Sequence, residues 1–427
     1  MASIKISELT PIVSGSINTG SASIPIVNAG TTFKTTPKDL IDSIGRVFEK
    51  GSGTNSIQPI SGGSTNDASG NCSTIGGGDK NETSGEFSTI AGGGGLGKGS
   101  GNTASGDCST IGGGNSNEAS GTRSTVSGGT DNLAAGNYST VGGGDSNTAS
   151  GSGAFVGGGC SNEASGEYST LSGGYQNIAS GSNSTISGGY CNITSGSCST
   201  ISGGYQNLTS GSCSTIGGGY INKTSGEYST VSGGYCNIAS GSNSTIGGGD
   251  KNTASGDYST VGGGCCNTSS EENTTIGGGQ KNTASCQSST VGGGFCNVAS
   301  GSYSTVGGGY ENIASGSKST VSGGYCNTAS GYGATIAGGG CYDGAGYNGN
   351  TASGAFSSIS GGTENSGAGD FSTVSGGYCN SASEETTTVG GGGCNTALGQ
   401  SATISGGYQN TASGEYSTVS GGEGNIA

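Results

Sequence analysis

The stretch CNITSGSCSTISGGYQN, residues 191–207, returns almost unchanged as CNIASGSNSTIGGGDKN at residues 236–252. A glycine- and serine-rich composition of this kind is typical of disordered chains. Both copies nevertheless keep an isoleucine and an asparagine in the same places. Since a disordered segment has no reason to keep a register, the repetition predicts an ordered repeat architecture.

The repeat is fifteen residues long and covers most of the chain. When the aliphatic residue that usually follows Ser-Thr is taken as position zero, 24 such sites run from Ile60 to Val419. Of the 23 intervals between them, 21 are fifteen residues long, and the other two are 21 and 23. The longer intervals are insertions near 92–101 and 338–349, which we expect to be loops on an outer corner.

The residue types within each repeat predict two short strands. Ser and the aliphatic residue face inward on the first strand, and a small residue, mostly Ala, faces inward on the second. Gly and Asn are expected to supply the positive φ angles of the turns. The predicted inner column includes Ile186, Ile201, Ile216, Val231 and Ile246, and the predicted turn column includes Asn177, Asn192, Asn207, Asn222 and Asn237.

The predicted fold class is therefore all-β, a parallel β-solenoid or β-roll of about 24 coils over residues 51–427. Coils stacked at about 4.8 Å would form a rod about 115 Å long. Burial of one aliphatic and one small residue per coil is little against the entropy of ordering a glycine-rich chain. Because the outward Thr ladder lets another backbone approach closely, we expect identical chains to associate laterally as a homotrimer.

Composition limits the partners and the compartment. The 427 residues include 99 Gly and only 28% hydrophobic residues, which argues against an ordinary globular core. A net charge of −15 with 12 basic residues argues against nucleic acid as a partner. No apolar run is long enough for membrane insertion, and the N-terminus lacks the pattern of a signal peptide, so we expect synthesis in a cytoplasm.

Residues 1–50 differ in kind from the repeats. SIPIVNAGTTFKTT, residues 23–36, predicts two short β runs around Asn28-Ala29-Gly30. PKDLIDSIGRVF, residues 37–48, predicts a short helix with Thr36 as its N-cap and Pro37 at its first position. This segment is expected to be a small α+β attachment domain.

Two stretches resemble known families. SGEYSTVSGGYCNIASGSNSTIGGG, residues 225–249, resembles the head repeats of YadA-like trimeric adhesins, and the resemblance extends over about residues 57–427. It implies a left-handed parallel β-roll that is three chains wide. The first fifty residues resemble the start of bacteriophage tail-fibre and other virion appendage proteins, in which the leading segment attaches the fibre to the particle.

These resemblances together predict a structural virion fibre. Residues 1–50 would bind a baseplate, tail or capsid protein, and the β-roll would project outward from a virion that is extracellular after release. A cell-surface trimeric adhesin is the alternative. An ice-binding solenoid is disfavoured, since the outward position next to Thr is Ser, Gly or Ala. The chain ends in mid-repeat, which suggests either that the gene product continues and is trimmed or that the coils of another molecule stack on this end, and the first is favoured.

No enzyme is expected, because a chain without histidine cannot carry Ser-His-Asp or Cys-His catalysis. No cofactor or metal is expected either, since Asp79, Asp145 and Asp250 recur too rarely for a calcium repeat. Cys198 and Cys213 occupy one column on adjacent coils, within disulfide range, and form a candidate bond.

Aromatic residues form two columns that offer a binding surface. The first column could bind host glycans on its ring faces, or could instead pack at the edge of a trimer groove. The first column contains Tyr175, Tyr190, Tyr205, Tyr220 and Tyr235, and the second contains Phe87, Tyr138, Tyr168, Tyr228 and Tyr258.

Overall fold

A computed structural model describes residues 24–28, 31–35, 48–59, 65–95, 101–342 and 347–427. The chain divides into two compact units, Met1–Gly153 and Ala154–Ala427. In each unit the chain makes one turn per repeat, and each turn adds one strand to each of two parallel ladders. The described residues contain no helix, so the predicted all-β parallel solenoid is confirmed.

The first unit contains five described turns, preceded by two antiparallel hairpins. The hairpins pair Ile24–Asn28 with Thr31–Thr35 and Phe48–Lys50 with Ile57–Pro59. The first ladder consists of Thr74–Ile75, Thr89–Ile90, Thr110–Ile111, Thr125–Val126 and Thr140–Val141. The second ladder consists of Asp67–Ala68, Glu82–Thr83, Thr103–Ala104, Glu118–Ala119, Leu133–Ala134 and Thr148–Ala149.

The second unit contains 18 turns. Its first ladder consists of Phe155–Val156, Thr170–Leu171, Thr185–Ile186, Thr200–Ile201, Thr215–Ile216, Thr230–Val231, Thr245–Ile246, Thr260–Val261, Thr275–Ile276, Thr290–Val291, Thr305–Val306, Thr320–Val321, Thr335–Ile336, Ser358–Ile359, Thr373–Val374, Thr388–Val389, Thr403–Ile404 and Thr418–Val419. Its second ladder consists of Glu163–Ala164, Ile178–Ala179, Ile193–Thr194, Leu208–Thr209, Lys223–Thr224, Ile238–Ala239, Thr253–Ala254, Thr268–Ser269, Thr283–Ala284, Val298–Ala299, Ile313–Ala314, Thr328–Ala329, Thr351–Ala352, Ser366–Gly367, Ser381–Ala382, Thr396–Ala397 and Thr411–Ala412. Together the two units have 23 described turns, and the twenty-fourth predicted one, at Ile60, lies outside the described residues.

The strands are short because each turn needs only one inward and one outward residue on each ladder. Thr200 pairs in register with Thr215, and Ile201 pairs with Ile216. The isoleucines are fully buried while the threonines are half-buried, which is the alternation expected of a strand with one solvated face. A shift of one residue would expose the entire inner column, so the fifteen-residue spacing fixes the register.

The turn residues differ from those expected. Gly204 (φ 95°) and Gln206 (φ 52°) turn the chain between the two ladders, whereas Asn207, the predicted turn residue, has no positive φ. The same holds for Asn177, Asn192, Asn222 and Asn237. The asparagines act through their buried side chains instead, and the residue before each of them takes the left-handed conformation.

Close backbone approach favours glycine at two corners of the repeat. A Cβ on Gly204 would lie 2.2 Å from the carbonyl oxygen of Gly219 on the next turn. A Cβ on Gly196, at the opposite corner, would lie 2.1 Å from the carbonyl oxygen of Gly211. The Gly204 corner, which also has a positive φ, is glycine in every described turn, whereas the Gly196 corner admits Glu271, Cys286 and Glu384 in three turns.

Both insertions leave the ladders intact. Across the first, Thr89 pairs with Thr110, and residues 96–100 of the loop lie outside the described residues. The second contains a short antiparallel hairpin, Cys341–Tyr342 with Tyr347–Asn348, after which Thr335 pairs with Ser358. The prediction of corner loops is thus consistent with the uninterrupted register.

The segment before the repeats contains strands but no described helix. The predicted β runs form the hairpin of Ile24–Asn28 and Thr31–Thr35. Residues 36–47 of the predicted helix lie outside the described residues, and Phe48, its last residue, begins a strand instead. Within the following hairpin, the Gln58 side chain accepts a hydrogen bond from the Ala68 N–H at 2.9 Å. Gln58 therefore supplies the hydrogen-bond acceptor that the Ala68 N–H would otherwise find in a preceding turn of the solenoid.

Candidate adhesive surface

The surface is built on an interior in which every described turn contributes one buried aliphatic residue and one small inward residue. The predicted inner column of the second unit is fully buried, with each side chain directly in register with the next. It contains Ile186, Ile201, Ile216, Val231 and Ile246. Since dense packing fixes these side chains, the outward residues of the same turns are held at a constant spacing.

A column of buried asparagines joins consecutive turns. The Asn207 N–H donates to Oδ1 of Asn192 at 3.0 Å. The Asn207 Nδ2 donates to the carbonyl oxygens of Gly203 and Gly219, both at 3.0 Å, so it joins its own turn to the following one. These bonds recur along the column and satisfy the corner carbonyls, which explains why asparagine is kept at this position.

The first tyrosine column lies on a third, one-residue ladder at the same corner. Successive tyrosines form parallel backbone bridges from Tyr175 to Tyr235. Their rings stack with centroid separations of 5.1, 5.0, 4.7 and 5.2 Å and interplanar angles of 15° or less. The sequence-predicted residues are thus brought together as one continuous five-ring stack.

The stack leaves ring edges and hydroxyls, rather than ring faces, open to solvent. Tyr190 is 40% exposed although both of its faces are covered by neighbouring rings. At the end of the stack, the Lys251 ammonium lies 5.8 Å from the Tyr235 ring centroid. Stacking of sugars on internal ring faces, as expected from the sequence, is therefore prevented, and contact with edges and hydroxyls remains possible.

Two of the five tyrosines in the stack, Tyr190 and Tyr235, have a raised pKa. The pKa of Tyr190 is raised above its usual value, chiefly by the adjacent Cys191 thiol and then by desolvation and the neighbouring rings. The pKa of Tyr235 is raised in the same way, with Cys236 as the largest cause. Neutral phenols both donate and accept hydrogen bonds, so the column presents a row of hydroxyls suited to polar ligands.

An aliphatic stripe that the sequence analysis missed runs beside the tyrosines. Ile193 and Ile238 point outward from the second ladder and are 37% and 40% exposed. Ile178 and Leu208 occupy equivalent positions and are half-buried. The signal was available seven residues after position zero, where most other turns of the second unit carry Thr or Ser. We call these four residues the aliphatic stripe.

A second, shorter ring stack was also missed. Phe295, Tyr310 and Tyr325 stack with centroid separations of 5.0 and 5.7 Å. The Lys281 ammonium lies 5.6 Å from the Phe295 centroid, as Lys251 does at the longer stack. Their fifteen-residue spacing identifies this stack in the sequence as well.

The second predicted aromatic column behaves differently. Its residues occupy the opposite corner, each with a positive φ, and are separated by turns that carry other residue types. Within the described residues none of them stacks on another member of the column. Their exposed fractions are 54–59%, for Phe87, Tyr138, Tyr168, Tyr228 and Tyr258.

The candidate disulfide residues are neighbours on adjacent turns. Cys198 and Cys213 are both exposed and are free thiols in the structure. Desolvation and the adjacent Cys198 thiol, which hydrogen-bonds to Cys213, raise the pKa of Cys213. The structure brings the two side chains together, and the bond between them stays a prediction.

Among the described residues, no group of three or more Cys, Asp or Glu side chains is arranged to hold a metal ion. A search of the same residues finds no helix of the length and hydropathy needed to span a membrane.

Comparison with known proteins gives one local match. A family described as the ubiquitous surface protein adhesin repeat matches residues 229–241. These thirteen residues contain the first-ladder strand Thr230–Val231 and Tyr235 of the stack. The repeats are adhesin-like. A search of curated proteins with the whole chain finds no match.

Proposed function

We propose that this protein is an adhesive fibre whose solenoid presents the five-tyrosine stack to glycans on a host surface. The observation that carries the proposal is the stack itself, a continuous row of five rings whose edges and hydroxyls are open to solvent. Similarity of residues 229–241 to an adhesin repeat supports it, because the matched segment includes part of that surface.

A glycan array with the purified protein tests this function. The triple variant Tyr190→Ala, Tyr205→Ala and Tyr220→Ala removes the middle of the stack, and we expect it to lose at least roughly tenfold in affinity for any bound glycan. The control is Tyr228→Ala, which removes an exposed tyrosine outside the stack. Absence of any glycan binding by the unaltered chain, or equal binding by the triple variant, would overturn the proposal.

We further propose that the fibre belongs to a virus particle, as the resemblance of the first fifty residues implies. Residues 1–50 would attach it to a baseplate, tail or capsid protein, and the assembled fibre would be extracellular once the virion is released. The hairpin of Ile24–Asn28 and Thr31–Thr35 supplies one ordered element for this contact. Mass spectrometry of purified particles should detect the chain if this assignment is right.

A cell-surface adhesin is the second candidate, and the match at residues 229–241 favours it. Both assignments use the same solenoid and differ in what anchors it. Immunogold labelling of intact producer cells distinguishes them, since an adhesin labels the cell envelope and a virion fibre labels released particles.

We also propose that the chain associates with copies of itself, most simply as a homotrimer. The aliphatic stripe, which Lys223 interrupts between Leu208 and Ile238, supports association, because outward apolar side chains favour contact with another apolar surface. Light scattering of the purified protein should give three times the mass of one chain. Replacement of the stripe residues with Thr, which other turns of the second unit carry there, should shift the mass toward that of a monomer.

A further inference from the structure

Fifteen cysteines are spread along the chain, and three pairs of them lie fifteen residues apart. Cys341 of the pair Cys326 and Cys341 belongs to the inserted hairpin, so two pairs share a column on adjacent, uninterrupted turns. The first pair is Cys198 and Cys213, and the second is Cys379 and Cys394. Cys198, Cys213 and Cys379 are exposed, and Cys394 is half-buried. All four are free thiols at corners that a small molecule can reach.

The backbone holds the first pair at the separation of one turn. Thr200 pairs with Thr215 just after the two cysteines, and the Cys213 N–H donates to the Ser197 carbonyl at 2.8 Å. Parallel strands in register lie about 4.8 Å apart, within the range of about 4.4–6.8 Å between Cα atoms that a disulfide requires.

The second pair has the same geometry at the other corner. Tyr378 and Gly393, the residues before the two cysteines, form a parallel bridge, and the Cys394 N–H donates to the Tyr378 carbonyl at 2.8 Å. The two thiols are in contact, since burial and a hydrogen bond with Cys394 raise the pKa of Cys379.

We propose that Cys198 with Cys213, and Cys379 with Cys394, are two oxidation sites that a small-molecule disulfide converts into bonds between neighbouring turns. One cysteine thiolate attacks the small disulfide, forms a mixed disulfide and releases one small thiol. The second cysteine attacks the protein sulfur of that intermediate, so the Sγ–Sγ bond forms and a second small thiol leaves. Two protein thiols are oxidised, one disulfide is reduced, and the two protons go to the released thiolates.

Such disulfide bonds would oppose unfolding of the solenoid one turn at a time. In a solenoid each turn contacts only its neighbours, so unfolding can proceed one turn at a time. A bond that closes a loop of fifteen residues forces two turns to open together and restricts the unfolded chain. The proposal depends on turn spacing alone and therefore stands independently of the function proposed above.

The other cysteines supply matched controls. Cys191 lies in the same column as Cys379, but the neighbouring turns carry Gln176 and Gln206 there. No cysteine therefore lies next to Cys191 in that column. Oxidation should join Cys191 to one small thiol as a mixed disulfide and should not form a bond between turns.

The test treats the purified, fully reduced chain with oxidised glutathione at pH 8.5, blocks remaining thiols with iodoacetamide, and then denatures and digests it. Chymotrypsin cuts after Tyr205, between the first pair, and a glutamate-specific protease cuts after Glu384 and Glu385, between the second. We expect mass spectrometry to find the Cys198 and Cys213 peptides linked, and likewise those of Cys379 and Cys394, until dithiothreitol is added. Cys191 should carry glutathione only.

A second measurement tests the effect on the fold. Oxidation should slow proteolysis of the native chain at the turns around Cys394 by roughly tenfold or more, and Cys379→Ser should abolish that gain while Cys191→Ser leaves it unchanged. Peptides in which the four cysteines carry only glutathione or iodoacetamide, or are linked at random to other cysteines, would overturn the proposal. Equal proteolysis of oxidised and reduced chains would reject the proposed effect on unfolding.

Discussion

Two neighbouring regions of the second unit share the aliphatic and asparagine columns of the interior but have different exteriors. The aromatic turns, residues 171–239, carry the tyrosine stack and the aliphatic stripe. The threonine turns, residues 246–284, carry Asp250, Cys265 and Gln280 in place of the tyrosines, and Thr in place of the stripe. The asparagine column continues through both, with 3.0 Å between the backbone nitrogen and Oδ1 at Asn207 and at Asn267.

The comparison separates what folds the chain from what the chain displays. Ladder register, aliphatic burial and asparagine bonding are unchanged between the regions, so they do not depend on the outward residues. The outward residues can consequently change from aromatic to polar without altering the ladder register or the buried columns. Adhesive specificity should therefore reside in a few turns of a uniform support.

The largest expected effect lies in the shared interior. Asn207→Asp and Asn267→Asp each remove two Nδ2 hydrogen bonds to part-buried glycine carbonyls, and we expect each to lower the free energy of unfolding by roughly 2–4 kcal/mol. Thermal denaturation followed by circular dichroism measures this loss. Gln206→Asn, at an exposed position, is the control. A clearly smaller loss in one region would contradict the idea that the interiors are equivalent.

A smaller effect is expected from the outward residues at the tyrosine position. Tyr205→Ala removes two ring stacks and should cost about 1–3 kcal/mol, since each stack contributes about 0.5–1.5 kcal/mol. Gln280→Ala, its counterpart in the threonine turns, should change stability by less than about 0.5 kcal/mol. Urea denaturation of both variants makes the comparison, and equal losses would show that stacking contributes nothing.

Backbone strain also distinguishes the regions. Ile221, in the aromatic turns, is a β-branched residue at φ 53°, whereas Lys281 at the equivalent position in the threonine turns has φ 56° and no branch at Cβ. Because branched side chains fit the left-handed region poorly, Ile221→Asn should stabilise the chain by about 1 kcal/mol. Lys281→Asn should stabilise it less. A loss of stability in Ile221→Asn, measured by urea denaturation, would indicate that the isoleucine makes contacts worth more than its strain.

The smallest effect concerns the polar partners of two cysteines in one column. The Cys191 thiol donates to the neutral Gln176 side chain at 3.4 Å, whereas Cys326, beyond the threonine turns, donates to the Glu311 carboxylate at 3.7 Å. Burial first, and then Glu311, raises the pKa of Cys326 to about 11. Since the thiolate is the reactive form, Glu311→Gln should raise the rate of Cys326 alkylation at pH 8 severalfold.

The sign of the matching stability effect follows from the raised pKa. The folded chain holds the Cys326 proton more tightly than the unfolded chain, so this contribution is complete below the ordinary thiol pKa and is lost as the pH rises toward about 11. Alkylation of Cys326 in the unaltered chain, followed by mass spectrometry from pH 7 to 11, should therefore still be increasing at the alkaline end. A plateau near pH 9 would contradict this assignment.

The periodic part of the fold could be predicted because an aliphatic, an asparagine and a small inward residue recur at a fixed spacing. Ile201 and Ala254 face the core in any register that buries the aliphatic column, and both are buried. The role of Asn207 was only partly predictable, because its value lies in side-chain bonds to adjacent turns rather than in its own φ. The hairpin of Phe48–Lys50 and Ile57–Pro59 lies outside the period and left no repeating signal.

The surface was predictable in position but not in geometry. Fifteen-residue spacing places Tyr190 and Tyr205 on adjacent turns, yet it does not say whether their rings cover each other or stand apart. That outcome depends on the distance of about 5 Å between turns, which matches the separation of stacked rings. The aliphatic stripe was missed because outward isoleucine and outward threonine fit the same strand pattern.

The interchangeable turns have an evolutionary consequence. Each turn forms the same backbone ladder with its neighbours. In-frame loss or duplication of one repeat by recombination therefore leaves every remaining turn paired in register with the next. The reach of the protein and the number of rings in its stack can then vary between lineages by whole turns, without passing through a variant that fails to fold.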